Sequence, residues 1–185
     1  MWGDEQQRRA VRERIKLLLN SHQTELEPRQ RRVHEGELLL AQGEPAFQLM
    51  LLTEGRVAIQ LRHHDRAAHT LTVLEAEELL GEMALFGDGR HSADVRVVEG
   101  SAELIEVSSD AVLRAMLFDT DLAMELLGLL SQRCQHSNAL LGMLLDAIAA
   151  TSRGDTATLQ AITAQMLPLD HGLAATADQL LKLVD

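Results

Sequence analysis

The chain has 185 residues, 46 % hydrophobic and 24 % charged, enough for one domain with a sizeable core and some added elements. Its formal net charge of −11 and its 2 % of aromatic residues weigh against two kinds of partner: a phosphate backbone that needs basic neutralisation, and bases that need aromatic platforms. A single cysteine excludes an intramolecular disulfide. With no charge-free apolar run of about 18 residues and no apolar N-terminal core, the composition predicts a cytoplasmic protein without a membrane span or secretory signal.

Taken in order, residues 1–32 read as an N-terminal helix and loop. Val11, Ile15, Leu18 and Leu19 share one face, and the loop around Pro28 ends the zone. Basic residues gather here (Arg8, Arg9, Arg12, Arg14, Lys16, then Arg29, Arg31, Arg32), but acidic neighbours are interleaved. A solvated mixed-charge surface is the expectation rather than a nucleic-acid patch.

Residues 33–120 read as a β-rich unit. Leu49–Leu52, Val57–Leu61, Leu71–Leu74, Ala93–Val98 and Ala102–Val107 are short, apolar or alternating. Turn signals separate them at Gly43-Glu44-Pro45, Glu54-Gly55, His64-Asp65, Gly87-Asp88-Gly89 and Glu99-Gly100. This spacing predicts an antiparallel roll or barrel.

Residues 121–150 read as one long helix, roughly 45 Å at the α-helical rise of about 1.5 Å per residue. Ser109 or Asp110 is expected to cap a short helix before it, and Asp119, Thr120 or Asp121 the long one. Leu126, Leu130, Cys134, Ser137, Leu141, Leu144 and Ile148 form one stripe along it, and Leu127, Leu129, Leu140 and Leu145 a second. Two apolar faces predict one docked on its own domain and one on a second copy, a homodimer; within the stripe, Cys134 reads as a buried small hydrophobe. Residues 151–185 read as a terminal helical hairpin hinged at Pro168. Leu159, Ile162 and Met166 would face Leu173, Leu180, Leu181 and Val184. The predicted class is therefore α+β, mainly β: a jelly-roll-like antiparallel β-roll between an N-terminal helix and a long C-terminal helix, followed by a hairpin.

The stretch whose residue types carry chemistry is Gly81-Glu82-Met83-Ala84-Leu85-Phe86, followed by Arg90-His91-Ser92-Ala93-Asp94-Val95. A strand end, a glycine turn, the start of a short helix and a basic group suit a phosphate-bearing ligand with hydroxyls. Together with Gly43-Glu44 and Gly55-Arg56-Val57, twelve residues apart at their glycines, this set resembles the cyclic-nucleotide-binding domain of the catabolite activator protein and related bacterial regulators. The resemblance runs from about Val33 to Asn138. It implies a sensor of cyclic AMP or cyclic GMP, no metal and no enzymatic reaction.

The resemblance also implies roles. Gly81 would admit the backbone to the cyclic phosphate, and Glu82 would accept from the ribose 2′-hydroxyl. Amides of Met83 and Ala84, with the hydroxyl and amide of Ser92 beside Ala93, would face the phosphate. Ser137 and Asn138 would reach the purine, one of them across the dimer. The family's phosphate-clamping arginine aligns with His91, which would bind phosphate when protonated, while Arg90 stands one position early, where an extended chain turns a side chain to the other face. Arg90 would join the ligand site if the short Gly87-Asp88-Gly89 loop shifts the register. Glu77 replaces a family glycine, and Asp94 adds an anion. Beyond Asn138 the basic residues are Arg153 and Lys182, too few for a recognition helix. The expected output is contact with an unidentified protein partner, not DNA and not a membrane. Two other readings stand beside this one: a ligand-free oligomerisation scaffold with a decayed cassette, and a cupin-like metal enzyme using His63, His64 and His69.

Overall fold

The computed structural model describes residues 13, 16–17, 19–63, 66–167, 174, 177–179 and 181–182. The chain divides into two compact units, one ending at Leu130 and the other beginning at Ser131, within a single long helix.

The first unit opens with helical residues ending at Ser21 and a short turn α1 (Gln23–Leu26). Six antiparallel strands follow: β1 (Arg29–His34), β2 (Leu38–Leu40), β3 (Gln48–His63), β4 (Arg66–Glu75), β5 (Glu78–Leu80) and β6 (Asp94–Ser108). The single-turn α2 (Glu82–Leu85) lies between β5 and β6. After β6 come α3 (Ser109–Phe118) and α4 (Thr120–Arg153).

The long strands β3 and β6 pair along nearly their whole length and form the spine of the roll. One half of the spine, Gln48–Leu52 with Leu104–Ser108, carries β1 on its β6 side and β5 on its β3 side. The other half, Arg56–Gln60 with Asp94–Val98, carries β2 and β4. The inside of the roll is the aliphatic cluster Val33, Leu39, Leu40, Met50, Leu52, Val57, Leu80, Val95, Val97, Ala102 and Leu104. Leu49 and Leu51 point the other way, into a second cluster with Leu26, Ala111, Val112, Ala115, Leu122, Leu126 and Leu129. The unbroken apolar run Leu49–Leu52 thus follows from a strand covered on both faces.

Glu54-Gly55 and Glu99-Gly100 are not turns between strands; they lie within β3 and β6 as facing irregularities. Arg56 pairs with Val98 and Glu54 with Glu103, so residues 99–102 bulge opposite Gly55. Glu99, Gly100 and Gly55 all have positive φ (63°, 78° and 92°). A Gly-polar pair marks a bulge as readily as a turn, and only the pairing register decides which. β1, β2 and β5 also form without having been foreseen. The last two are three residues long, too short to show a period.

At the helices the caps differ in part. Ser108, not Ser109 or Asp110, occupies the cap position of α3, while Ser109 is buried and donates its amide to the Phe47 carbonyl at 2.9 Å. Asp119 caps α4, accepting from the Leu122 amide at 3.0 Å. In the second unit, α4 continues to Arg153. Asp155 caps α5 (Thr156–Met166) by accepting from the Thr158 amide at 3.0 Å and hydroxyl at 2.6 Å. Ala147, Ala150, Leu159, Ile162, Met166, Ala174 and Ala177 form this unit's core, with Met143, Leu144 and Leu181 against it. The end of α4 is therefore part of the terminal helical assembly. Pro168, Leu173, Leu180 and Val184 lie outside the described residues, as do Val11, Ile15 and Leu18. No helix among the described residues is long and apolar enough to cross a membrane.

Candidate functional site

The edge strand β5 ends against the inner half of β3, with Met50 opposite Leu80, and delivers Gly81 to the start of α2. Gly81 has φ +89°. A Cβ placed on it would lie 3.1 Å from the Gln48 carbonyl oxygen and 3.6 Å from both His91 Cε1 and Leu40 Cδ1. Only glycine combines that conformation with so close an approach. Glu82 follows with 1 % exposure, a carboxylate carried into the interior by the first residue of the turn. The Ala84 amide donates to the Gly81 carbonyl at 3.3 Å. Met83 is half exposed, and its sulfur lies 4.0 Å from the Ser92 hydroxyl, so the two halves of the cassette meet. Ala93 is half-buried next to Ser92, just before β6 begins.

Arg90 and His91 point to opposite sides. His91 is 9 % exposed, its ring beside Gly81. Arg90 is exposed and donates from Nη1 to the Gly43 carbonyl at 2.7 Å. Backbone bonds tie the segment to the Gly43–Ala46 loop: Gly43 N–H to the His91 carbonyl (2.8 Å), His91 N–H to the Glu44 carbonyl (3.0 Å) and Ala46 N–H to the Gly89 carbonyl (2.8 Å). Two glycine-bearing stretches far apart in sequence are thereby neighbours. Burial holds the His91 imidazole below its ordinary pKa, so the group at this position is neutral at neutral pH.

Asp94 is not a loose anion. Its Oδ1 accepts from the Gln42 amide at 2.7 Å and its Oδ2 from Arg62 Nε at 2.8 Å, and Arg62 also donates to the Gln42 carbonyl at 2.8 Å. Arg62 had no signal in the sequence; it reaches Asp94 only because Gln60 pairs with Asp94 in the spine. Glu77 adopts the left-handed conformation (φ 75°) in which a glycine would be unstrained, with its amide 2.6 Å from the Leu52 carbonyl and its carboxylate paired with Lys16. Of the histidines considered as metal ligands, His63 lies on β3 and His69 on β4. His63 pairs with Arg66 and His69 with Leu61 in the backbone register, and His64 is outside the described residues. Among the described residues, no group of three or more His, Cys, Asp and Glu is placed to hold a metal.

Residues 30–117 match the family model described as the cyclic nucleotide-binding domain. Over these residues, just under half of the chain, the sequence is similar to that domain. The domain's curated relatives include a CRP-like cAMP-activated global transcriptional regulator of Mycobacterium tuberculosis. It is 28 % identical over 105 residues, which make up 56 % of this chain and 46 % of that protein. The match thus spans about half of the relative's length. Among solved structures, the Thermus thermophilus catabolite activator protein superposes with TM-score 0.61 at 23 % identity, covering 89 % of this chain and 80 % of that one. The sensor domain of the transcriptional regulator DNR from Pseudomonas aeruginosa gives 0.53 at 26 % identity, covering 66 % and 89 %. The β-roll is therefore the fold these proteins share.

Ser137 and Asn138 lie on α4 in the second unit, both exposed. Burial partitions this helix differently from the two stripes read in the sequence. Leu122, Leu126, Leu129, His136, Leu140, Ala147 and Ala150 are buried; Met124, Leu127, Ser131, Cys134, Asn138, Leu141, Leu145 and Ile148 are exposed. Cys134 is thus exposed, not a core residue. The exposed set is spaced alternately three and four residues apart, a heptad seam with Asn138 in one of its two rows.

Proposed function

We propose that the domain is the non-enzymatic sensor of a regulatory protein and takes a cyclic purine nucleotide, cyclic AMP first and cyclic GMP second. The observation that carries this reading is the cassette geometry. Gly81 at φ +89° opens the backbone, Glu82 is buried in the following turn, and the Ser92 hydroxyl closes over Met83. Gly81, Ser92 and the neighbouring amides of Met83 and Ala93 would receive the phosphate, Ala84 would join them by turning its amide from the Gly81 carbonyl, and Glu82 would receive the ribose hydroxyl. His91 stands in the cation's place, and Arg90 holds the Gly43 loop rather than the ligand. The cAMP-activated regulator among the relatives is the reason for ranking cyclic AMP first.

The exposed seam of α4 would pair with the same seam of a second copy, a homodimer that brings Ser137 or Asn138 to the purine. Ligand would then shift a pre-existing balance between two placements of the helix. With a net charge of −11, these 185 residues suit a protein partner better than a phosphate backbone. The second reading is a ligand-free scaffold, favoured by one observation: the neutral His91 beside Gly81.

Thermal melting separates the two. Cyclic AMP or cyclic GMP at a hundred times its dissociation constant should add about 2.7 kcal/mol of stability, and Glu82→Gln should abolish the shift. A folded protein whose melting neither nucleotide changes is a scaffold.

A further inference from the structure

His22 sits between the N-terminal helical residues and α1. Its Nδ1 is 2.7 Å from Glu25 Oε2, and its Nε2 is 2.7 Å from Asp119 Oδ2, 97 residues away. Both ring nitrogens thus face carboxylate oxygens, which only accept. A neutral imidazole carries one N–H, so both bonds exist together only in the imidazolium. Asp119 does two things at once: its other oxygen caps α4 at the Leu122 amide, 3.0 Å away. The His22 and Asp119 side chains are 20 % and 22 % exposed, whereas Glu25 is open to solvent. The bond to Asp119 sits at the rim of the cluster where Leu26 packs with Ala111, Ala115 and Leu122. The charged groups facing the ring are Glu25 from its own segment and Asp119 from the α3–α4 junction, and Arg29 and Arg114 border the groove that Glu25 lines.

We propose that His22 is a proton-dependent clasp fastening the N-terminal helical segment to the start of the long helix α4. Bonds to Glu25 and then Asp119, opposed by partial burial, hold His22 above its ordinary pKa. The attachment is therefore at full strength below the free imidazole's pKa of about 6.5 and is lost as pH rises through the higher folded value. Above that value one nitrogen presents a lone pair to a carboxylate oxygen, and one of the two bonds breaks. The segment then parts more often from the cap of α4, the helix that carries the exposed seam. The clasp stands independently of any ligand in the roll.

The test is a pH series on the full chain. It follows the His22 ring by NMR and the amide-exchange protection factors of Ser21–Leu26 and Leu122–Leu126 from pH 6 to 8.5. The expected result is a His22 titration above the ordinary imidazole range and a loss of protection in both segments as pH rises through it. His22→Gln, which carries no titrating ring, should show protection that does not change with pH, and Asp119→Asn, which keeps a capping oxygen and whose Nδ2–H can donate to a neutral ring, should lose the wild-type fall in protection at high pH. Wild-type protection that does not change with pH, or a His22 ring titrating at or below the ordinary range, overturns the clasp even if neither variant folds.

Discussion

At Gly55 two strands touch backbone to backbone: a Cβ there would lie 2.6 Å from the Ser101 carbonyl oxygen and 2.7 Å from Ala102 Cα, at φ +92°. Gly55→Ala should cost about 2–3 kcal/mol, because conformational strain adds to a contact that backbone cannot relieve. Gly36→Ala supplies the control, with φ +81° and open space around it, at a cost of about 1 kcal/mol. Urea midpoints compare the two, and equal losses would mean that the crossing has no tight contact. His91 supports a prediction of opposite character. His91→Arg places a permanent charge beside Gly81, so the unliganded protein should melt lower while cyclic nucleotide binds about tenfold tighter. Calorimetry on the variant checks this, and weaker binding would remove His91 from the phosphate's surroundings. Burial depresses the His91 pKa, so its contribution to stability is complete above the ordinary imidazole value and lost as pH falls. That is the reverse of His22. Gly81, Glu82 and Ser92 were legible in the sequence because their geometry is local. Arg62 was not, since its ion pair with Asp94 depends on a register fixed by bulges elsewhere in the spine.

Among the elements, α4 sets the next prediction. Met124, Ser131, Asn138 and Leu145 form one row of its exposed seam, and Leu127, Cys134, Leu141 and Ile148 the other. If two copies pair in parallel and in register, each Cys134 faces its mate across the two-fold axis. Mild oxidation should then give a disulfide-linked dimer on a non-reducing gel, absent in Cys134→Ser. A chain that stays monomeric under those conditions, and elutes as a monomer, contradicts the parallel seam. The long helix itself was readable from its capping and period. Its faces were not, because apolar residues recur three and four apart on both sides, and periodicity does not say which side is covered. β3 and β6 posed the corresponding problem for strands: Glu54-Gly55 and Glu99-Gly100 look like chain reversals until their mutual pairing shows one continuous bent ribbon.

For the whole molecule, the roll is a support that brings residues 81–86, 89–93 and 43–46 to one place, tied by backbone bonds between the last two. Its aliphatic interior and acidic exterior fit a module that holds a small anion at one built site rather than along a charged surface. The central claim is that this site takes a cyclic nucleotide. The most direct measurement is a ¹H–¹⁵N chemical-shift titration of the full chain with cyclic AMP. The account predicts saturable shifts concentrated at Gly81–Ala84 and His91–Ala93, lost in Glu82→Gln. Unshifted cassette amides at millimolar nucleotide, in a spectrum of a folded protein, would contradict it.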